Sequence, residues 1–212
     1  MKPQFDLSLY LVTDRSLSLG RSLEHVVEEA VKGGVSMVQL REKDCSSAEF
    51  YALAIKLKAL LTPYQVPLII NDRLDIALAC DAEGLHIGQS DLPYSVARKL
   101  MGNDKIIGLS VENIEDVMEA NRLDVDYIGI SPVFDTQTKN DTAKALGIDG
   151  VKEISTLSIH PSVGIGGINQ SNAEQIITAG ADGISVVSAI MSAVDPKKSA
   201  EELMKIVKQS KK

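Results

Sequence analysis

Cysteine is scarce in this 212-residue chain: Cys45 and Cys80 stand far apart and form no CxxC pair. That excludes a disulfide framework and a paired-cysteine metal site, and it suggests two reduced thiols in a cytoplasmic protein. Cys45 lies near Lys43, where a reactive thiol is conceivable, but an incidental or buried cysteine is the expected role. Long hydrophobic runs are also missing. The opening MKPQFDLSLYLVTD has no extended apolar stretch of the signal-peptide kind. The late apolar stretch from Gly183 to Val194 is interrupted by serines and too short to cross a bilayer, so no membrane association is expected. Positive charge is in deficit, with 22 Lys and Arg against 29 Asp and Glu, a formal net charge of −7. A general nucleic-acid-binding surface is therefore disfavoured, while a local basic pocket for phosphate stays open. The three histidines fall into no HExxH motif and no Ser/His/Asp arrangement. A satisfied interior role is expected for His86; His25 and His160 sit in helix and loop contexts.

What remains is an ordinary globular composition, 44% hydrophobic and 24% charged. The length suffices for a sizeable core without staples. No linker, low-complexity tract or composition shift divides residues 1–212, so one domain is expected. Short runs of Val, Ile and Leu begin near Leu7, Val35, Val66, Gly84, Ile106, Tyr127, Val163 and Gly183, alternating with helical patterns. Ser22, Ser46 and Asn113 are placed to cap helices, and Ser46–Glu49 and Ser171–Glu174 have capping-box spacing. Continuous apolar strands suggest sheets covered on both faces. Eight strand–helix units predict a (β/α)8 TIM barrel, with a doubly wound open sheet as the alternative.

In such a barrel the chemistry sits at the C-terminal strand ends, and every polar motif of this chain falls at one. In Gln39-Leu40-Arg41-Glu42-Lys43, strand alternation would aim Gln39, Arg41 and Lys43 into the mouth. Arg supplies a planar fork for phosphate and Lys a compact charge. The competing reading is a solvated patch in which Glu42 and Asp44 pair with their neighbours. Asn71-Asp72 and Asp91 follow the third and fourth strands. Two carboxylates with phosphate oxygens suit Mg²⁺; alternatively Asp72 and Asp91 cap the helices starting near Leu74 and Pro93. The stretch 131–146 is long and polar for a connection, and its Thr136, Thr138 and Lys139 are suitable phosphate ligands in a closing loop or plain surface residues. Gly164-Ile165-Gly166-Gly167 and Val187-Ser188-Ala189 end the last two strands, where barrels often cradle phosphate through backbone N–H groups, or where a turn merely needs glycine. Two anion sites, one of them for pyrophosphate, are the expectation.

Taken together, QLREK, INDR, GLHIGQSDL, SPVFDTQTK, GIGGI and GADGISVVSAI resemble the thiamine-phosphate synthase (thiamine-phosphate pyrophosphorylase) family over nearly the whole chain. The resemblance implies a Mg²⁺-dependent transferase that joins a hydroxymethylpyrimidine pyrophosphate to a thiazole phosphate, releasing pyrophosphate by a dissociative route. It implies that Asp72 and Asp91 bind Mg²⁺, and that Arg41, Lys43, Asn71 and Lys139 hold pyrophosphate with Ser110 close by. It implies that Gln39 faces the pyrimidine, and that Thr136, Thr138, Gly167, Val187 and Ser188 hold the thiazole phosphate. It admits a homodimer. One departure stands out: many members carry His two residues after the strand-five serine, where this chain has Glu112. That counts against the related thiazole tautomerase, the runner-up. A non-catalytic phosphate-ligand sensor on the same barrel would keep the glycine cradle without needing Asp72, Asp91 and the basic cluster.

Overall fold

Eight parallel strands close into a barrel in the computed structural model, which describes residues 2–135 and 144–211. The strands are β1 (Leu9–Val12), β2 (Met37–Leu40), β3 (Leu68–Asn71), β4 (Gly84–Ile87), β5 (Ile106–Val111), β6 (Tyr127–Ile130), β7 (Ser162–Ile165) and β8 (Gly183–Val186). Each pairs with its neighbour in sequence, and β8 returns to β1, with Tyr10 opposite Ser185. Closure overturns the open-sheet alternative. The (β/α)8 barrel read from the apolar strand runs is the architecture present.

Alternation along each strand divides the apolar residues into two compartments. Outward-facing residues such as Leu9, Leu11, Val38, Leu40 and Ile70 meet the helix faces of Val26, Phe50, Leu57 and Leu203 in one continuous core. Inside the barrel a smaller cluster holds Leu7, Tyr10, Met37, Ile69, Ile106, Tyr127 and Val163, with Phe5 packed against it. Tyr127 fits inside because its partner on the adjacent strand β5 is a glycine. A Cβ on Gly108 would lie 2.1 Å from Cζ of Tyr127.

The helices are α1 (Leu23–Lys32), α2 (Ser47–Leu61), α3 (Leu74–Ala79), α4 (Tyr94–Met101), α5 (Ile114–Ala120), α6 (Gly147–Leu157), α7 (Ala173–Thr178), α8 (Ser188–Met191) and α9 (Pro196–Ser210). Ser22, Ser46 and Asn113 accept from the N–H groups of His25, Glu49 and Asp116, as their spacing predicts. The expected box at Ser171–Glu174 does not form. Asn172 precedes α7 without capping it and accepts instead from the N–H of Asn169, folding the loop back on itself. The one-turn helix α8 was not expected from sequence, because its four residues follow the strand without a polar break.

The N-terminal end of the barrel repeats one device around the ring. The residue just before each even strand gives a side-chain oxygen to an N–H at the start of the preceding odd strand. Ser36 accepts from Leu9 at 3.1 Å, Glu83 from Leu68 at 3.0 Å, Asp126 from Ile107 at 2.8 Å and Asp182 from Ser162 at 2.8 Å. These oxygens satisfy donors that the barrel ladder leaves open.

Candidate active site at the C-terminal mouth

The chain alternates at the end of β2 as the sequence predicts. Gln39 and Arg41 line a cavity in the barrel mouth, while Leu40 joins the outer core. Glu42 turns away from the mouth and pairs with Arg15 at 2.7 Å; its side chain is only 6% exposed, so it pairs as the competing reading expects but not as part of a solvated patch. Among the described residues Arg41 has no carboxylate partner, which leaves its guanidinium available to an anion. Lys43 reaches across to Asp72, with Nζ 2.7 Å from Oδ2.

Asp72 and Asp91 do not act as helix caps. Arg73 and Pro93 occupy the N-cap positions of α3 and α4, and neither helix receives a side-chain cap. Asp72 has a left-handed backbone, φ +59°, which Asp tolerates at modest cost and which sets its carboxylate at the mouth. Asp91 accepts from the N–H of Gly88 at 2.7 Å and so closes its own turn. The two carboxyls are near enough for each to shift the other's pKa. Burial pushes Asp72 upward, but the Lys43 ammonium and the hydrogen bond from Asp91 hold it below the usual carboxylate range. Burial raises Asp91, helped by the charge of Asp72 and opposed by the Gly88 N–H. Two adjacent carboxylates that resist joint ionisation are a hard-oxygen site that a cation completes. Among the described residues no three His, Cys, Asp or Glu side chains form a metal cage. Two carboxylates with substrate phosphate oxygens are therefore the set that fits Mg²⁺ here.

Asn71 and Ser110 line the same cavity. Strand β5 runs two residues beyond the expected Leu109, which puts Ser110 on the strand rather than in the loop. Beneath the mouth five side chains form one chain of hydrogen bonds. Gln39 Nε2 donates to the Tyr10 hydroxyl at 2.7 Å, and the Tyr10 and Tyr127 hydroxyls are 2.8 Å apart. The Tyr127 hydroxyl lies 2.9 Å from Nδ1 of His86, whose Nε2 lies 3.0 Å from Oγ of Ser110. In the proton arrangement that runs from Gln39 through Tyr10, Tyr127 and His86 to Ser110, the Ser110 hydroxyl keeps its own proton to donate elsewhere; the reverse tautomer of His86 would make Ser110 the donor within the chain. Burial raises both tyrosine pKa values, so both phenols stay protonated. His86 is thus an interior histidine with partners, as expected, and it also lines the cavity.

Gly166 and Gly167 both have positive φ, and a Cβ on Gly167 would lie 2.9 Å from the Asp135 carbonyl oxygen. The loop after β6 crosses them at backbone distance, so the tight-turn reading accounts for part of their presence. Val187 is the N-cap of α8 rather than the last strand residue, and Ser188 opens the helix. The first amides of α8 have no intrahelical acceptor, and Ser188 and Ala189 line a depression shared with Gly167 and Ile168. Thr136, Thr138 and Lys139 lie outside the described residues. The stems of their loop are pinned by Leu146 N–H to Pro132 and Gly147 N–H to Val133, both at 2.9 Å. Cys45 is a free thiol whose pKa burial raises, contrary to what a reactive thiol needs.

Sequence reasoning did not single out Tyr10, Tyr127 or Ser185. The alternation of polar atoms among Leu9, Leu11, Ile184 and Val186 was the available signal, but in strands this short it reads as core.

The model of the family described as thiamine monophosphate synthase matches residues 9–190. A thiamine-phosphate synthase of Ruminiclostridium cellulolyticum is 52% identical over 97% of this chain and 98% of its own length. One from Leptospira biflexa is 54% identical over 92% of this chain and 95% of its own. A solved structure of thiamine phosphate pyrophosphorylase from Pyrococcus furiosus superposes with a TM-score of 0.89 at 38% identity, covering 97% of this chain and 98% of that one. With a mouth that gathers Arg41, Lys43, Asn71, Asp72, Asp91 and Ser110 onto the same barrel, this chain belongs to the thiamine monophosphate synthase family.

Proposed function

We propose that the 212 residues form one catalytic domain that works in the cytoplasm as a thiamine-phosphate synthase. It would join 4-amino-2-methyl-5-hydroxymethylpyrimidine pyrophosphate to 4-methyl-5-(2-phosphooxyethyl)thiazole, giving thiamine phosphate and pyrophosphate. The observation that carries this reading is the pair Asp72 and Asp91 beside Lys43 and an Arg41 that has no carboxylate partner among the described residues, at the rim of a largely neutral pocket. A charged rim over a neutral cavity suits a substrate with a pyrophosphate at one end and a ring at the other.

In this reading Arg41, Lys43, Asn71 and Lys139 grip the departing pyrophosphate, and Ser110 donates its hydroxyl proton to it. When bound at Asp72 and Asp91, Mg²⁺ would neutralise charge that builds on the leaving group. Gln39 faces the aminopyrimidine. Thr136, Thr138, Gly167, Val187 and Ser188 hold the thiazole phosphate so that the ring nitrogen meets the carbon that pyrophosphate leaves. Such a reaction needs stabilised charge and held geometry more than an acid–base pair, which agrees with a mouth built from cations, amides and hydroxyls. The protein is taken to act on small molecules, with no nucleic-acid or membrane partner; among the described residues no helix is long and apolar enough to cross a membrane. A homodimer is part of the reading, tested by sedimentation.

The test is to supply both phosphorylated substrates with and without Mg²⁺ and to measure thiamine phosphate. Product that requires the metal supports the reading. Folded protein that makes none, where a known synthase does, turns the reading towards a tautomerase-like relative or a phosphate-ligand sensor.

A further inference from the structure

Ser185 sits on β8 with 1% of its surface exposed, and its Oγ has no hydrogen-bond partner. A buried hydroxyl left unsatisfied works against the fold. Its position gives it a use. It lines the same cavity as Gln39, Tyr10, His86 and Ser110. In register it stands opposite Tyr10 on β1 and Ile165 on β7, below the level of Val187 and Ser188. The charged groups Arg41, Lys43, Asp72 and Asp91 belong to the rim, whereas the groups around Ser185 are neutral. What Ser185 meets is therefore the uncharged, ring-bearing end of a substrate.

Gln39 narrows the chemistry further. One N–H of its Nε2 donates to the Tyr10 hydroxyl at 2.7 Å, which turns the amide nitrogen toward Tyr10. Its Oε1 is the acceptor Gln39 has to offer, while Ser185 holds an uncommitted donor. An acceptor and a donor lining one cavity complement an aminopyrimidine edge, where an exocyclic amine adjoins a ring nitrogen.

We propose that Ser185 is a specificity residue that contacts substrate, its hydroxyl donating to a ring nitrogen of the aminopyrimidine while Gln39 accepts from the amine. This rests on the synthase reading. It adds a contact from β8 itself; Val187 and Ser188, which follow that strand, serve the thiazole phosphate.

The test is the Ser185→Ala enzyme, assayed for each substrate in turn and melted alongside wild type. The expected result is a KM for the pyrimidine pyrophosphate raised about 5- to 20-fold, the range of one lost neutral hydrogen bond. The KM for the thiazole phosphate stays unchanged, and Tm is equal to wild type or slightly higher, because an orphan hydroxyl has been removed. Ser185→Cys, close in shape but a weak donor, falls between the two. An unchanged pyrimidine KM in folded Ser185→Ala overturns the proposal. So does a fall in Tm with both KM values raised together, which marks Ser185 as structural. Wild-type enzyme that forms no product overturns the synthase reading and this inference with it; active wild type with an indifferent Ser185→Ala overturns this inference alone.

Discussion

The two ends of the barrel use the same residue types in opposite ways. At the N-terminal end the acids are committed to the protein. Asp126 accepts from Ile107 N–H and pairs with Arg98 at 2.7 Å, with both side chains largely buried. Asp182 and Glu83 are held by Ser162 and Leu68. At the C-terminal end the polar groups are only partly committed. The charge of Asp72 raises the pKa of Asp91, and among the described residues Arg41 has no carboxylate partner and the Ser185 hydroxyl has no hydrogen-bond partner. One end spends its polar groups on closing the ladder and the other keeps them for a ligand. Residue type alone does not separate structure from function here; the completeness of each group's partnerships does.

The sharpest way to break this comparison is to delete one acid from each end. Asp91→Ala is expected to lower kcat/KM by about 10²–10³ or more, the scale of one lost charge-stabilising group, with Tm near wild type in thermal melts. Asp126→Ala is expected to do the reverse. It leaves Arg98 buried without its partner, costing about 3–5 kcal/mol, read by urea denaturation. Activity per folded molecule should hold below the melting range.

Tyr127→Phe sharpens the contrast, because Tyr127 belongs to the interior core and also to the relay. Removing its hydroxyl strands Tyr10 and Nδ1 of His86, at about 1–3 kcal/mol. It also frees the Ser110 proton to turn away, so kcat is expected to fall about tenfold while the KM for the thiazole phosphate holds. Loss of stability with kcat unchanged would confine the relay to structure. The smallest effect is expected from Asp182→Ala, which deletes one strand-start acceptor at about 1 kcal/mol and leaves both KM values as they were.

The barrel was legible because continuous apolar strands and Ser or Asn caps report on local geometry, which sequence spacing encodes directly. The rim was legible for a related reason: Arg41, Asn71, Asp72 and Asp91 stand just where apolar runs give way. Below the rim legibility failed. Tyr10, Tyr127 and Ser185 meet across the barrel from β1, β6 and β8, and no spacing along the chain shows that. The ring of Ser36, Glu83, Asp126 and Asp182 was hidden likewise, since each acts on a strand distant in sequence. The capping box at Ser171 failed because Asn169 and Asn172 offered the loop a competing hydrogen-bond pattern.

The most direct test of the division between the two ends is a thiamine phosphate assay on wild type, Asp91→Ala and Asp126→Ala with Mg²⁺, at a temperature where all three are folded. Product from wild type and Asp126→Ala, with none detectable from Asp91→Ala, is the predicted result. Turnover by Asp91→Ala equal to wild type, or none by folded wild type, would contradict it.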